Sequence, residues 1–101
     1  MRTVFWDLER RSAVSLRDCG AYMYAIDPTT QVLCLVFVVD DAEPQLWLPT
    51  DPAPAAFLEI AVNPKEWQLI AHNYDFERNI LDNILVLRHG FRPIPLETQH
   101  C

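Results

Sequence analysis

The chain has few glycines and few cations, and both shortages restrict what it can do. Two glycines cannot form a glycine-rich phosphate loop, which excludes the kinase and nucleotide-motif classes of function. Eight Lys and Arg residues stand against fourteen Asp and Glu residues, for a net charge of −6. Proteins that grip nucleic acid by its phosphates usually carry clustered cations. The acidic balance is still compatible with a nuclease, because divalent cations held by carboxylates supply local positive charge.

Long apolar runs and metal-type cysteine spacing are also missing. No segment reaches the roughly 18 apolar residues of a membrane span, and the N-terminus lacks the apolar core of a signal peptide. The three cysteines form no CxxC pair, and Cys34 lies in an apolar run that predicts a buried, reduced thiol. We therefore expect a cytoplasmic protein that does not engage membranes. No nucleophile elbow of the form G-x-S-x-G surrounds a serine.

The residues that are present predict one packed domain spanning residues 1–101. Half of them are hydrophobic and 22% are charged, a composition typical of a globular chain. Alternation predicts a strand over Thr3–Glu9. The aromatic-rich segment Gly20–Ala25 predicts a second strand, and the β-branched run Val32–Val39 predicts a third that is buried on both faces. On that interpretation Val36→Asp would cost several kcal/mol.

The second half of the chain predicts helices on either side of one more strand. Ala55–Val62 predicts a short helix and Trp67–Ala71 a strand, and a longer helix begins near Asn73 and stops at Gly90. The apolar stripe of that longer helix consists of Phe76, Ile80, Ile84 and Leu87. The order β-β-β-α-β-α predicts an α/β fold with a mixed sheet. The ribonuclease H-like fold begins in this way.

Asp7 and Glu9 are the first candidate site residues. Two positions apart on a strand, their side chains project from one face about 7 Å apart, while Trp6 and Leu8 point to the core. Carboxylates held in this way suit one or two divalent cations, which prefer oxygen ligands. The alternative is a D-x-E pair that occurs by chance on a solvent-exposed strand.

The second candidate runs from Asn73 to Glu77, where a strand ends and a helix begins. Open α/β sheets bind their ligands at such places. The alternative interpretation is structural: Asn73 caps the helix, and Asp75 and Glu77 favour its positive end. Residues in this segment therefore have either a ligand-binding or a helix-starting role.

Four segments together resemble the DEDD-type exonuclease domain at the front of family A (DNA polymerase I-like) DNA polymerases, particularly phage and prophage forms. WDLERRS resembles the first exonuclease motif, and AHNYDFERNIL the second. GAYMYAIDPTTQVLCLVF resembles the strands between them, and RHGFRPIPLE a segment that precedes a Thr-Met pair in these proteins. The resemblance covers nearly the whole chain.

The resemblance implies a 3′→5′ exonuclease that hydrolyses the 3′ end of single-stranded DNA with two Mg²⁺ or Mn²⁺ ions. It assigns Asp7, Glu9 and Glu77 to catalysis and metal binding, and Asn73 and Phe76 to the substrate-binding positions of the second motif. The helix stripe predicts instead that Phe76 packs in the core. We expect the three carboxylates to converge on one cation. A polymerase domain is the implied partner in a full-length gene product.

The third motif of the family, Tyr-x-x-x-Asp or His-x-x-x-Asp, does not occur before Cys101. We therefore expect a ribonuclease H-like domain truncated at its C-terminal end, which binds metal but degrades DNA weakly or not at all. Two alternatives stay open. One is a non-catalytic nuclease-like fragment that binds nucleic acid or serves as a scaffold, and the other is an RNA-directed member of the group.

Overall fold

A five-stranded mixed sheet forms the frame of the protein, in the order β3-β2-β1-β4-β5. The computed structural model describes all residues from Met1 to Cys101. Strand β2 runs antiparallel to both β1 and β3, whereas β4 and β5 run parallel to β1. The strands are β1 (Arg2–Arg11), β2 (Gln31–Val39), β3 (Gln45–Trp47), β4 (Trp67–Ala71) and β5 (Gln99–His100). The predicted α/β class with a mixed sheet is confirmed.

All the helices lie against one face of this sheet. Val4, Trp6 and Leu8 alternate along β1 and join a single core of 21 buried apolar residues, as the sequence predicts for Trp6 and Leu8. Phe57 sits at the centre of that core, with its ring 5.6 Å from that of Trp6. The helices are α1 (Leu16–Ile26), α2 (Ala55–Val62), α3 (Tyr74–Ile80) and α4 (Val86–Arg88), with a π-helical turn (Leu81–Leu85) between the last two. None is long and apolar enough to cross a membrane.

The opposite face of the sheet, which we call the open face, carries no helix. It consists of the alternate residues of the central strands: Phe5, Asp7 and Glu9 of β1, Val36 and Val38 of β2, and Ile70 of β4. Phe5 lies opposite both Val38 and Ile70, so these apolar side chains form a row across three strands. The sheet therefore has one covered face and one face that is left to solvent.

The predicted strand over Gly20–Ala25 is wrong, because this segment belongs to helix α1. Tyr24 and Ala25 are both buried, although they are neighbours in sequence, and a strand would point them to opposite faces. Aromatic enrichment favours strands locally, but the Tyr24 ring packs 5.6 Å from Phe76 of α3 and fixes a helix here. Gly20, with φ of 81°, interrupts the helix. Strands β1, β2 and β3 are antiparallel neighbours, but α1 separates β1 from β2 and the short strand β3 was not predicted. The observed order is β-α-β-β-α-β-α-α-β.

The predicted burial of Val32–Val39 on both faces is also wrong. Leu35 is fully buried, but its neighbour Val36 is 41% exposed, because nothing covers the open face. Cys34 is half-buried rather than buried. A bulge between Glu9 and Arg10 shifts the β1–β2 register, so that Glu9 lies opposite Cys34 and Arg10 opposite Val32. A strand made of consecutive apolar residues can therefore have one face covered by helices and the other face exposed to solvent.

The C-terminal third of the chain departs from prediction at two points. Phe76, Ile80 and Ile84 are buried as the stripe predicts, but Leu87 is exposed. The π-helical turn has more residues per turn than an α-helix, so it rotates the residues that follow it away from the core. Residues 92–101 had no predicted structure, and they end in strand β5 beside β4.

Candidate metal and catalytic site

Strand β1 presents Asp7 and Glu9 to solvent on the open face, as alternation predicts. The last residue pair between β1 and β4 joins Trp6 to Ala71, so Asp7 lies just beyond the point where β4 ends. There the Asp7 Oδ1 accepts a hydrogen bond of 3.0 Å from the N–H of Leu8. Neither Asp7 nor Glu9 takes part in an ion pair. Both carboxylates are accordingly free to receive a cation.

Helix α3 begins two residues after β4 and brings the second candidate segment beside β1. The Asn73 Oδ1 accepts a hydrogen bond of 3.5 Å from the N–H of Phe76, a long bond in the capping position. The N-cap interpretation of Asn73 is therefore confirmed. The cap fixes the first turn of the helix, and Glu77 directly follows Phe76, the residue whose N–H donates to the cap.

Phe76 is buried against Tyr24, and the guanidinium of Arg10 lies 4.7 Å from the centre of its ring. The side chain thus packs in the core, as the helix stripe predicts. A role in substrate binding would require this ring to become exposed. Such a role stays a prediction for Phe76, as it does for Asn73.

Glu77 is the most unusual ionisable residue of the protein. Only 4% of it is exposed, and its Oε2 has no hydrogen-bond partner. Burial raises the pKa of its carboxyl above the ordinary value, and the negative charge of Asp7 raises it further. Its own N–H, the Arg10 guanidinium and the N–H of Asn73 act in the opposite direction without reversing the shift. A carboxylate in this position is costly unless a positive group reaches its free oxygen.

Asp7 and Glu77 belong to different sides of the sheet. Asp7 belongs to the open face, whereas α3 packs on the helix-covered face through Phe76 and Ile80. The negative charge of Asp7 nevertheless contributes to the raised pKa of Glu77. Strand β4 ends opposite Trp6, one residue before Asp7, so no strand lies on that side of Asp7 itself.

The expected convergence of Asp7, Glu9 and Glu77 on one cation is not found in this structure. No three His, Cys, Asp or Glu side chains come together as a group able to hold a metal ion. Glu9 lies exposed opposite Cys34, one alternation further along β1 than Asp7. The charge of Asp7 thus acts on Glu77, whereas Glu9 makes no contribution to the raised pKa of Glu77 and lies further along β1.

Arg10 is a site residue that sequence reasoning missed. It covers the Phe76 ring and lowers the pKa of Glu77, which makes it the cation that partly offsets this buried charge. Strand alternation places Arg10 on the same face of β1 as Trp6 and Leu8, which is the face that α3 covers. A cation directly after a D-x-E motif, in step with that alternation, was the available hint.

His72 and Ile70 lie at the end of β4 and border the open face near Asp7. They extend the site from the pair of carboxylates to an apolar surface beside it. The chain matches no protein-family model, and comparison with curated proteins and with solved structures finds no significant similarity.

Proposed function

We propose that this chain forms the front part of a DEDD-type 3′→5′ exonuclease domain, with Asp7 and Glu77 as its metal-binding pair and Glu9 as a third, more exposed acidic residue. One observation carries the proposal. Glu77 is buried with an unpartnered oxygen and a raised pKa, beside a second carboxylate of the same charge. Structural carboxylates are normally hydrogen-bonded or paired, whereas carboxylates that share a site in this way are typical of functional centres.

The sheet supports a ribonuclease H-like fold for this domain. The antiparallel neighbours β1, β2 and β3 are followed by strands β4 and β5 that run parallel to β1, with helices between them. The end of β4 lies beside the middle of β1, where Ala71 pairs with Trp6. The segments WDLERRS and AHNYDFERNIL therefore begin next to each other, although Asp7 and Glu77 are 70 positions apart in the sequence. This arrangement is what a ribonuclease H-like exonuclease requires of its first two motifs.

The residues fit a hard divalent cation such as Mg²⁺ or Mn²⁺. Both candidate ligands are carboxylate oxygens, which these ions prefer, and the free Oε2 of Glu77 lacks any partner in the protein. A bound divalent cation supplies the charge that lowers the pKa of an attacking water and stabilises the departing 3′-oxygen of a phosphodiester. Asp7 and Glu77 would hold it, and Glu9 lies on the same strand face as Asp7 to take a second ion.

The substrate of this proposal is the 3′ end of single-stranded DNA. The net charge of −6 repels phosphates, so binding of the strand would depend on the metal ions. Arg10 is the cation whose charge lowers the pKa of Glu77, and its guanidinium lies over the ring of the preceding residue, Phe76. A polymerase domain is the proposed partner in a larger gene product.

One observation favours a second candidate, a non-catalytic nuclease-like fragment. Two-metal hydrolysis needs more ligands than two, and no group of three metal-type side chains is assembled here. A chain with one incomplete site would bind a single ion and fail to position the attacking water. The two candidates therefore agree on metal binding and differ on turnover.

Manganese binding and DNA degradation test the proposal separately. We expect the protein to bind Mn²⁺, measured by electron paramagnetic resonance, and to degrade 5′-labelled single-stranded DNA slowly or not at all. Loss of a positioned acid–base group alone typically costs about 10²–10⁴-fold in rate. Asp7→Asn and Glu77→Gln should each weaken Mn²⁺ binding about tenfold or more.

The matched control is Glu43→Gln, which removes one exposed carboxylate in the link between β2 and β3 and should leave Mn²⁺ affinity unchanged. Equal losses of Mn²⁺ affinity in all three variants would mean that the effect comes from the overall net charge, and would refute the site. Metal binding without any Asp7-dependent degradation, even at high enzyme concentration with Mn²⁺, would favour the non-catalytic candidate. Rapid Asp7-dependent digestion would show that the site is complete in this chain.

A further inference from the structure

A groove of about 640 Å³ runs along the open face of the sheet. Strand β1 provides its middle with Phe5 and Asp7, and β2 and β4 provide its two sides with Val36, Val38 and Ile70. Seven of its nine lining residues are hydrophobic, and none is Lys or Arg. The groove is thus an apolar surface with a carboxylate at one end.

The apolar side chains of this groove are exposed to an extent that needs a partner. Phe5 is 50% exposed, and Leu46 of β3, which lies opposite Val36, extends the apolar surface to the edge of the sheet. Exposed apolar side chains that adjoin one another mark interaction sites, whereas scattered single ones do not. Every helix of the protein already packs on the other face, so none of them covers this surface.

The width of the groove suits one α-helix. Neighbouring strands are about 4.8 Å apart, so β2 and β4 are separated by about 10 Å across β1. An α-helix with its side chains is about 10–12 Å wide. A helix lying along β1 would place one apolar stripe between Val36 and Ile70 and over Phe5. Helix-in-groove recognition uses such a stripe.

The charge of this surface indicates which occupant it favours among a second copy of the chain, a nucleic-acid strand and a basic partner protein. Asp7 and Glu9 lack ion-pair partners, and each copy of the chain carries a net charge of −6. Two copies packed through this face would bring these carboxylates together, and like charges in contact are unfavourable. A nucleic-acid strand meets the same repulsion, since no cation lines the groove. Of the three occupants, a basic partner is the one that these carboxylates attract.

We propose that this groove binds an amphipathic helix of a partner protein, with its apolar stripe on Phe5, Val36 and Ile70 and a Lys or Arg beside Asp7. The apolar stripe supplies the affinity, and the cation sets the orientation of the helix along β1. This interaction surface overlaps the proposed metal site at Asp7 alone, and its apolar residues take no part in metal binding.

An 18-residue synthetic peptide of leucine and lysine, with leucines on one helical face, tests the proposal. It is titrated into the ¹⁵N-labelled protein in EDTA, so that the metal site has no influence on the result. We expect saturable binding with amide shift changes in β1, β2 and β4. Phe5→Lys should weaken binding at least tenfold, and Val36→Lys serves as a second variant if Phe5→Lys does not fold.

The matched control is Val62→Lys, which adds the same charge at an exposed apolar position of α2 and should bind as the parent protein does. A leucine–glutamate peptide of the same pattern should bind at least tenfold more weakly, and equal binding would overturn the charge assignment. Shift changes outside these strands, or unchanged binding by folded Phe5→Lys and Val36→Lys, would overturn the docking site. A dimer in sedimentation that Val36→Lys dissociates would assign the face to a second copy instead.

Discussion

Leu35 and Val36 are neighbours on β2, yet Leu35 contacts the core of the helix-covered face and Val36 lies on the open face. The same contrast holds for Val4 and Phe5 on β1. On the covered face the apolar side chains belong to one cluster and hold the protein together. On the open face they contribute little to that cluster and stand beside the exposed carboxylates Asp7 and Glu9. The covered face therefore carries stability, and the open face carries the candidate interactions.

The largest expected effect of this contrast is on charged substitutions in β2. Leu35→Asp buries an unpaired charge and should remove several kcal/mol, most of the stability of a domain of this size. Val36→Asp should cost less than about 1 kcal/mol, because the new carboxylate stays in water. Thermal and urea unfolding followed by circular dichroism measure both. A Val36→Asp variant as damaged as Leu35→Asp would show that the open face is covered in solution.

Truncation of phenylalanine gives the next largest difference. Phe57 lies in the core with its ring within about 5.6 Å of those of Trp6, Phe37 and Phe91, so Phe57→Ala should cost about 3–5 kcal/mol. Phe5→Ala on the open face should cost about 1 kcal/mol or less. Urea midpoints at constant m-value provide the comparison. Similar costs at both positions would contradict the division of the sheet into a structural and an interactive face.

Glu77→Gln should have a smaller effect, of the opposite sign. Burial raises the pKa of Glu77, so its charged form destabilises the folded state. Stability is fully present below the unfolded pKa near 4.5 and is lost as the pH rises through the higher folded pKa. Glu77→Gln should abolish this decline and stabilise the metal-free protein by about 1 kcal/mol at pH 7. Unfolding free energies at pH 4 and pH 7 test it, and a variant that loses stability at pH 7 would contradict an unpartnered charge.

Periodicity predicted those parts of the fold that depend on local alternation. The faces of Trp6 and Leu8, the helix over Ala55–Val62 and the cap at Asn73 all follow from side-chain spacing and capping chemistry. The strand predicted over Gly20–Ala25 is wrong because the helix found there depends on the packing of Tyr24 on Phe76, which lies 52 residues away in the sequence. A local aromatic-rich pattern gives no information about that distant contact. Nor does the apolar run of β2 record that one of its faces lacks a covering layer.

The motifs indicate which residues belong to the candidate site, but they do not indicate how those residues lie relative to one another in the fold. Asp7 and Glu77 are the carboxylates that the motifs indicate. Their placement in the fold depends on the parallel pairing of β1 with β4, which sequence order alone does not fix. Arg10 reaches this site because it shares a face of β1 with Trp6 and Leu8 and α3 packs on that face, which the D-x-E motif alone does not indicate.

The smallest expected effect concerns the electrostatic contact between the two faces. Removing the negative charge of Asp7 makes ionisation of Glu77 easier, so Asp7→Asn should lower the pKa of Glu77. Arg10→Gln removes a favourable positive charge and should raise it. Glu9→Gln is the matched control on the same strand face, and it should leave the pKa of Glu77 unchanged because Glu9 does not contribute to the shift. Carboxyl ¹³C chemical shifts of Glu77, followed through a pH titration in metal-free buffer, measure all three. If Glu9→Gln lowers the pKa of Glu77 as much as Asp7→Asn does, the shift comes from the overall negative charge of the open face and not from Asp7 in particular. If Asp7→Asn lowers the pKa and Glu9→Gln does not, Asp7 is the residue of the open face whose charge acts on the buried carboxylate, as the proposed metal-binding pair requires.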